Sequence, residues 1–89
     1  MPELKTTKAF TRTLNKLTLK NNRLYELIKE RLKSLSENPS AFHLENHKLK
    51  GQLKDYYAIT ITRDYRLVFY IDKTGAFVLF DIGSHDDVY

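Results

Sequence analysis

Apolar residues recur at helical spacing along the first half of this 89-residue chain and at alternate positions along the second. Phe10, Leu14 and Leu17 follow the i, i+4, i+7 rule, and Leu24, Leu27, Ile28, Leu32 and Leu35 trace a fuller stripe of the same kind. Thr7 has the chemistry to cap the first helix, and Asn22, after the Asn21-Asn22 break, can cap the second. The second helix should stop at "SENPS", because Pro39 disfavours a helical backbone at Asn38. Two amphipathic helices on a short polar link predict a helical hairpin. Residues 2 to 6 are expected to form a short edge strand, and Pro39 to Lys54 to be irregular, with a turn at Gly51.

Beyond Gly51 the period changes to two. "YYAITIT" puts Tyr57, Ile59 and Ile61 on one face and Ala58, Thr60 and Thr62 on the other. "RLVFYI" follows, then the turn signal "DKTG" and the apolar run "AFVLFDI". Helices followed by an antiparallel meander define an α+β domain spanning 1–89, with the helical pair on one face of the sheet. If Ile59 and Ile61 face the helices, their expected partners are Phe69 and Leu67, across a turn at Arg63-Asp64-Tyr65. Taking "DKTG" as a four-residue loop then pairs Phe69 with Val78 and Leu67 with Phe80, and sets Arg66 opposite Asp81 on the far face.

Composition narrows the chemistry. The absence of cysteine excludes a disulfide framework, a thiolate metal site and a thiol nucleophile. No stretch has the form of a signal peptide or the length of a membrane span, so a cytoplasmic protein is expected. Of the net charge of +4, the distribution matters most. From Lys5 to Lys33 nine Lys or Arg stand against Glu26 and Glu30, whereas the last eighteen residues carry four aspartates against Lys73. A basic body with an acidic end suits a polyanionic or acidic partner, although the commonest use of a lysine-rich helix is a solvated face.

His43 and His47 have a spacing that zinc sites use, but Glu45 does not directly follow the first histidine and no third ligand is evident; metal binding is not expected. His47, Arg66 and His85 form a more productive set. A neutral imidazole can take the proton of a ribose 2′-hydroxyl, a protonated one can supply a proton to the leaving 5′-oxygen, and a permanent guanidinium can hold the phosphate between them. Any one of the three, alone, would ordinarily be a structural or surface residue. Tyr65, at a turn, and Tyr89, at the terminus, are the tyrosines best placed to stack on bases.

The segment "HKLKGQLKDYYAITITRDYRLVFYID" and the ending "IGSHDDVY" resemble the RelE superfamily of bacterial type II toxins, with YafQ and YoeB as the nearest branches. The resemblance extends in motif detail from His47 to Tyr89, and earlier residues match in layout. It implies a RelE-like β-α-α-β-β-β fold and a ribosome-dependent mRNA endonuclease that needs no cofactor. The implied cleavage runs by 2′-hydroxyl attack in the ribosomal A site and leaves a 2′,3′-cyclic phosphate. Implied partners are a cognate antitoxin, the message, and operator DNA bound by the toxin–antitoxin complex. By position, His47 matches the general base, Arg66 the phosphate-stabilising arginine, His85 the late histidine that serves as general acid, and Tyr89 the C-terminal aromatic. Lys48, Lys50, Lys54 and Asp64 correspond to RNA-contacting positions, joined by Tyr65.

Two positions depart from the pattern. Thr60 stands where YafQ-like members have a second catalytic histidine, and Asp81 where they have an arginine. Asp81 would either orient Arg66 or offset its charge. Asp86 and Asp87 would either favour a protonated His85 or keep the terminus soluble. These departures leave two other readings open: a ParE-like toxin acting on DNA gyrase without a nuclease site, and an antitoxin-bound corepressor whose nuclease activity has decayed.

Overall fold

Residues 1–84 are described by a computed structural model of the chain. Thr7 caps the first helix: its hydroxyl accepts the Phe10 N–H at 3.1 Å and donates to the Leu79 carbonyl at 3.2 Å. Helix α1 spans Lys8–Thr18 and α2 spans Asn22–Glu37. The cap of α2 is Asn21 rather than Asn22, with Oδ1 accepting the Leu24 N–H at 3.1 Å. Asn22 is thus the first helical residue, and α2 begins one position earlier than expected. Its end is as expected, because Asn38, before Pro39, leaves the helical region. No helix of the described residues is long and apolar enough to cross a membrane.

Five strands form one mixed sheet: β1 (Leu4–Thr6), β2 (His47–Lys48), β3 (Tyr56–Thr60), β4 (Tyr65–Ile71) and β5 (Phe77–Ser84), in the spatial order β1-β5-β4-β3-β2. The edge strand expected at residues 2 to 6 is present as β1 and pairs parallel to β5; the other pairings are antiparallel. Strand β2 lies within the segment expected to be irregular. Two residues are too few to show a period, and short 3₁₀ turns at Phe42–Leu44 and Gly51–Leu53 flank it. Lys5 of β1 and Asp72 of the β4–β5 turn form an ion pair at 3.2 Å.

The helices cover one face of the sheet. Phe10, Leu24, Ile28 and Leu35 from the helices close on Ile59, Ile61, Leu67, Phe69, Leu79 and Ile82, with Leu44 sealing the side. Phe69 stacks between Tyr57, at 5.4 Å between centroids, and Phe77, at 4.8 Å, so aromatic rings bridge β3, β4 and β5. Each large side chain buried here contributes about 1.5–3 kcal/mol. The other face has a small apolar floor, Ala58 and Val68, against which Leu49 and Tyr56 pack.

The strand registers differ from the expected ones. Ile59 pairs with Leu67 and Tyr57 with Phe69, an offset of two residues that keeps every side chain on its expected face. Its cause is the turn: Ile61 and Tyr65 close the ladder, and Thr62 Oγ1 accepts the N–H groups of Asp64 and Tyr65. The β4–β5 correction has a larger effect. Asp72 and Ala76 are bonded across Lys73-Thr74-Gly75, a three-residue loop with Gly75 at φ +90°, and Phe69 therefore pairs with Leu79 rather than Val78. A bulge at Phe80 then adds a second one-residue offset, so Leu67 pairs with Ile82 and Val68 with Asp81. Val78 and Phe80 consequently lie on the open face. Arg66 faces Gly83 instead of the expected Asp81.

Candidate functional site

The open face gathers residues from four strands. Cross-strand pairing aligns His47, Ala58, Val68 and Asp81 in one row and Thr60, Arg66 and Gly83 in the next. His47 and Arg66 are two strands and two residues apart, or about 12 Å between Cα atoms at ordinary sheet spacings. Both rise from the same face, over the floor formed by Ala58 and Val68.

His47 is exposed on the edge strand, and its Nδ1 lies 2.9 Å from the Glu45 carbonyl. A carbonyl only accepts, so Nδ1 carries the hydrogen, and in the neutral ring Nε2 holds the lone pair. Glu45 achieves this with a left-handed backbone, φ +49° and ψ +41°, unusual for a residue other than glycine. Sequence reading missed its contribution: glutamate carries no propensity that would signal such a backbone.

Arg66 is held by its own hairpin. Nη1 donates to the carbonyls of Thr62 at 3.0 Å, Arg63 at 3.1 Å and Tyr65 at 3.4 Å. Nε and Nη2 have no hydrogen-bond partner among the described residues, and Arg66 joins no ion pair there. Asp81, which the sequence placed opposite Arg66, is instead a diagonal neighbour whose Oδ1 accepts the Ile82 N–H at 2.8 Å. Gly83 leaves the β5 side of the guanidinium without a facing side chain, and no carboxylate among the described residues pairs with the arginine.

The remaining expected site residues divide by location. Lys50 and Lys54 are exposed at the two ends of the Gly51–Leu53 turn, in a loop that Leu49 anchors to the open face. Asp64 is exposed in the Thr62–Asp64 turn that anchors Arg66. Lys48 is exposed but pairs with Tyr57, whose side chain is on the helix side of the sheet. Tyr65 also faces the helices, partly buried against the core, and so stands apart from the face that carries Arg66. Ser84 pairs with Tyr65 where the described chain ends; His85, Asp86, Asp87 and Tyr89 lie outside the described residues.

A cleft of about 530 Å³ runs along the edge beyond β2, lined by Phe42, Glu45, Asn46, His47, Lys48 and Tyr57, among others. Among the described residues, no three His, Asp or Glu side chains come together as a metal site would require.

Residues 2–89 match the sequence profile of a family described as the bacterial toxin of type II toxin–antitoxin system, YafQ. The RelE4 protein of Methanocaldococcus jannaschii is 27% identical over 90 residues, covering all of this chain and 92% of that protein. Among solved structures, a metal-bound toxin from Helicobacter pylori is 31% identical, with full coverage of both chains and a TM-score of 0.81. YafQ from E. coli superposes with a TM-score of 0.81 over 100% of this chain and 99% of that one at 16% identity, a likeness of fold.

Proposed function

Since the chain belongs to the YafQ family of type II toxins, and so to a system that includes an antitoxin, we propose that it is a metal-independent endoribonuclease that cuts messages in the ribosomal A site. The observation that carries this reading is the shared face of His47 and Arg66, with His47 Nδ1 committed to a carbonyl and Arg66 in no ion pair among the described residues. His47 Nε2 accepts the proton of the ribose 2′-hydroxyl. The 2′-oxygen forms a bond to phosphorus, the bond from phosphorus to the 5′-oxygen breaks, and a 2′,3′-cyclic phosphate remains. Arg66 offsets the charge that builds on the phosphoryl oxygens. His85 gives its proton to the departing 5′-oxygen, and Tyr89 stacks on or orients the substrate. Lys48, Lys50, Lys54 and Asp64 contact the RNA, and the antitoxin complex binds operator DNA. The permanent charge of Arg66 makes it the most direct test residue.

Primer extension on messages from a translating extract tests the assignment. New 5′ ends should appear with the wild-type chain, and each of Arg66→Ala and His85→Ala should lower their rate of appearance about 10²–10⁴-fold. Undiminished cutting in both variants would overturn the mechanism. Inhibited supercoiling by gyrase with no cutting would assign the chain to the ParE-like class instead.

A further inference from the structure

Phe42 is 96% exposed, the most exposed aromatic ring among the described residues. A single exposed apolar side chain is ordinary and by itself calls for no explanation. The setting of Phe42 is what matters. The turn that carries it is fixed on both sides: Leu44 is fully buried, His43 Nε2 meets Ser34 Oγ of α2 at 3.2 Å, and Asn46 Nδ2 donates to the Pro39 carbonyl at 3.1 Å. The Glu45 N–H closes the turn on the Phe42 carbonyl at 3.2 Å. An ordered turn therefore holds an apolar ring in water beside the cleft that His47 borders.

The other walls have complementary chemistry. Tyr57 is half-buried, and Phe69 covers one of its ring faces. Lys48 contributes a cation, and the exposed Glu45 carboxylate offers acceptors for N–H groups on a base edge. Strand alternation gives the cleft its relation to the site. His47 pairs with Ala58, toward the open face, whereas the next residue, Lys48, pairs with Tyr57, toward the cleft. Both residues line the cleft, so a polynucleotide crossing His47 meets the cleft at once. An aromatic platform, a cation for phosphate and an acceptor for base N–H groups together suit a single-stranded nucleotide. We infer that this cleft is a base subsite, in which Phe42 stacks on a nucleobase adjoining the scissile bond and Lys48 meets its phosphate. The inference rests on the reading of the chain as an RNA-cleaving toxin.

The test uses the full chain and RNA that cannot be cut, so that it does not depend on catalysis. Mixed-sequence 2′-O-methyl hexaribonucleotides are titrated against wild type, Phe42→Ala and Phe42→Tyr, with ring-proton shifts and affinity measured by NMR. The Phe42 ring protons should move upfield more than those of exposed Tyr25 on α2. Phe42→Ala should weaken binding about 5- to 150-fold, Phe42→Tyr should restore it, and all three should melt alike. Equal affinity of Phe42→Ala and wild type, an unmoved Phe42 ring, or no binding at millimolar RNA would overturn the subsite. A ring that moves with the antitoxin but not with RNA would assign the cleft to that protein and also overturn it. Cutting in the translating extract is read separately: an uncut message with intact oligonucleotide binding counts against the catalytic mechanism and leaves the subsite standing.

Discussion

Arg66→Lys separates charge from geometry at the candidate site. In the wild type all three bonds to the β3–β4 turn come from Nη1, at 3.0, 3.1 and 3.4 Å, which leaves Nε and Nη2 for a phosphate. Arginine can do both because its five donors are spread over a rigid fork. Lysine has the same charge on one nitrogen, and that nitrogen must either bond the turn carbonyls or reach the phosphate. The expected loss is that of a missing transition-state donor, about 10²–10³ in rate or about 2.7–4 kcal/mol. Arg66→Lys should therefore resemble Arg66→Ala rather than wild type. The fold should change little, because the side chain is half-exposed and makes no ion pair among the described residues. Single-turnover cleavage by primer extension, paired with a thermal melt, supplies both readings. If Arg66→Lys cuts within about threefold of wild type, charge alone suffices and the division of labour within the guanidinium is refuted.

Three further predictions concern the scaffold. Asn21→Ala should cost about 1 kcal/mol through loss of the α2 cap, and Asn22→Ala much less, as denaturant midpoints will show. Leu44→Ala, at a fully buried position between the cleft and the core, should cost about 2–5 kcal/mol and lower the melting temperature by about 4–8 °C per kcal/mol. Asp72 has a carboxyl held well below the usual carboxylate range, chiefly by the Thr74 hydroxyl, with the Thr74 and Ala76 N–H groups and Lys5 assisting. A depressed carboxyl stabilises the fold above its unfolded pKa of about 4, and that stability is lost as pH falls through the folded value. Melts between about pH 5 and pH 2 should therefore fall less steeply for Asp72→Asn than for wild type.

Much of this fold is readable from the chain because its periodic segments bury one face. The stripes of α1 and α2 and the alternation of Tyr57, Ile59 and Ile61 each identify the residues that meet the core. Strand β5 was less legible for a physical reason. In "FVLFDI" both faces are apolar, since Phe77 and Leu79 pack on the core while Val78 and Phe80 are on the open side, Phe80 against Tyr56 at 4.8 Å, so no alternation fixes the register. A three-residue loop and a bulge then moved Asp81 two positions away from Arg66. At the site, His47 and Arg66 could be identified as chemistry but not as geometry. The anchoring carbonyls of Glu45, Thr62 and Arg63 are backbone atoms, and side-chain identity does not predict where they point.

The parallel pairing of β1 with β5 bears on when such a toxin becomes dangerous. The Thr7 hydroxyl that caps α1 also bonds Leu79, 72 residues further along, and β1 is hydrogen-bonded to β5. Contacts of such long sequence separation form late, because the intervening loop must close before they contribute. While the chain is being made, its first strand has no β5 to join, and Arg66 lacks the neighbour that Gly83 becomes. The sheet that holds the candidate site is therefore completed only after the last strand has emerged from the ribosome. Synthesis itself thus provides an interval in which an antitoxin can meet a chain whose candidate site is not yet assembled.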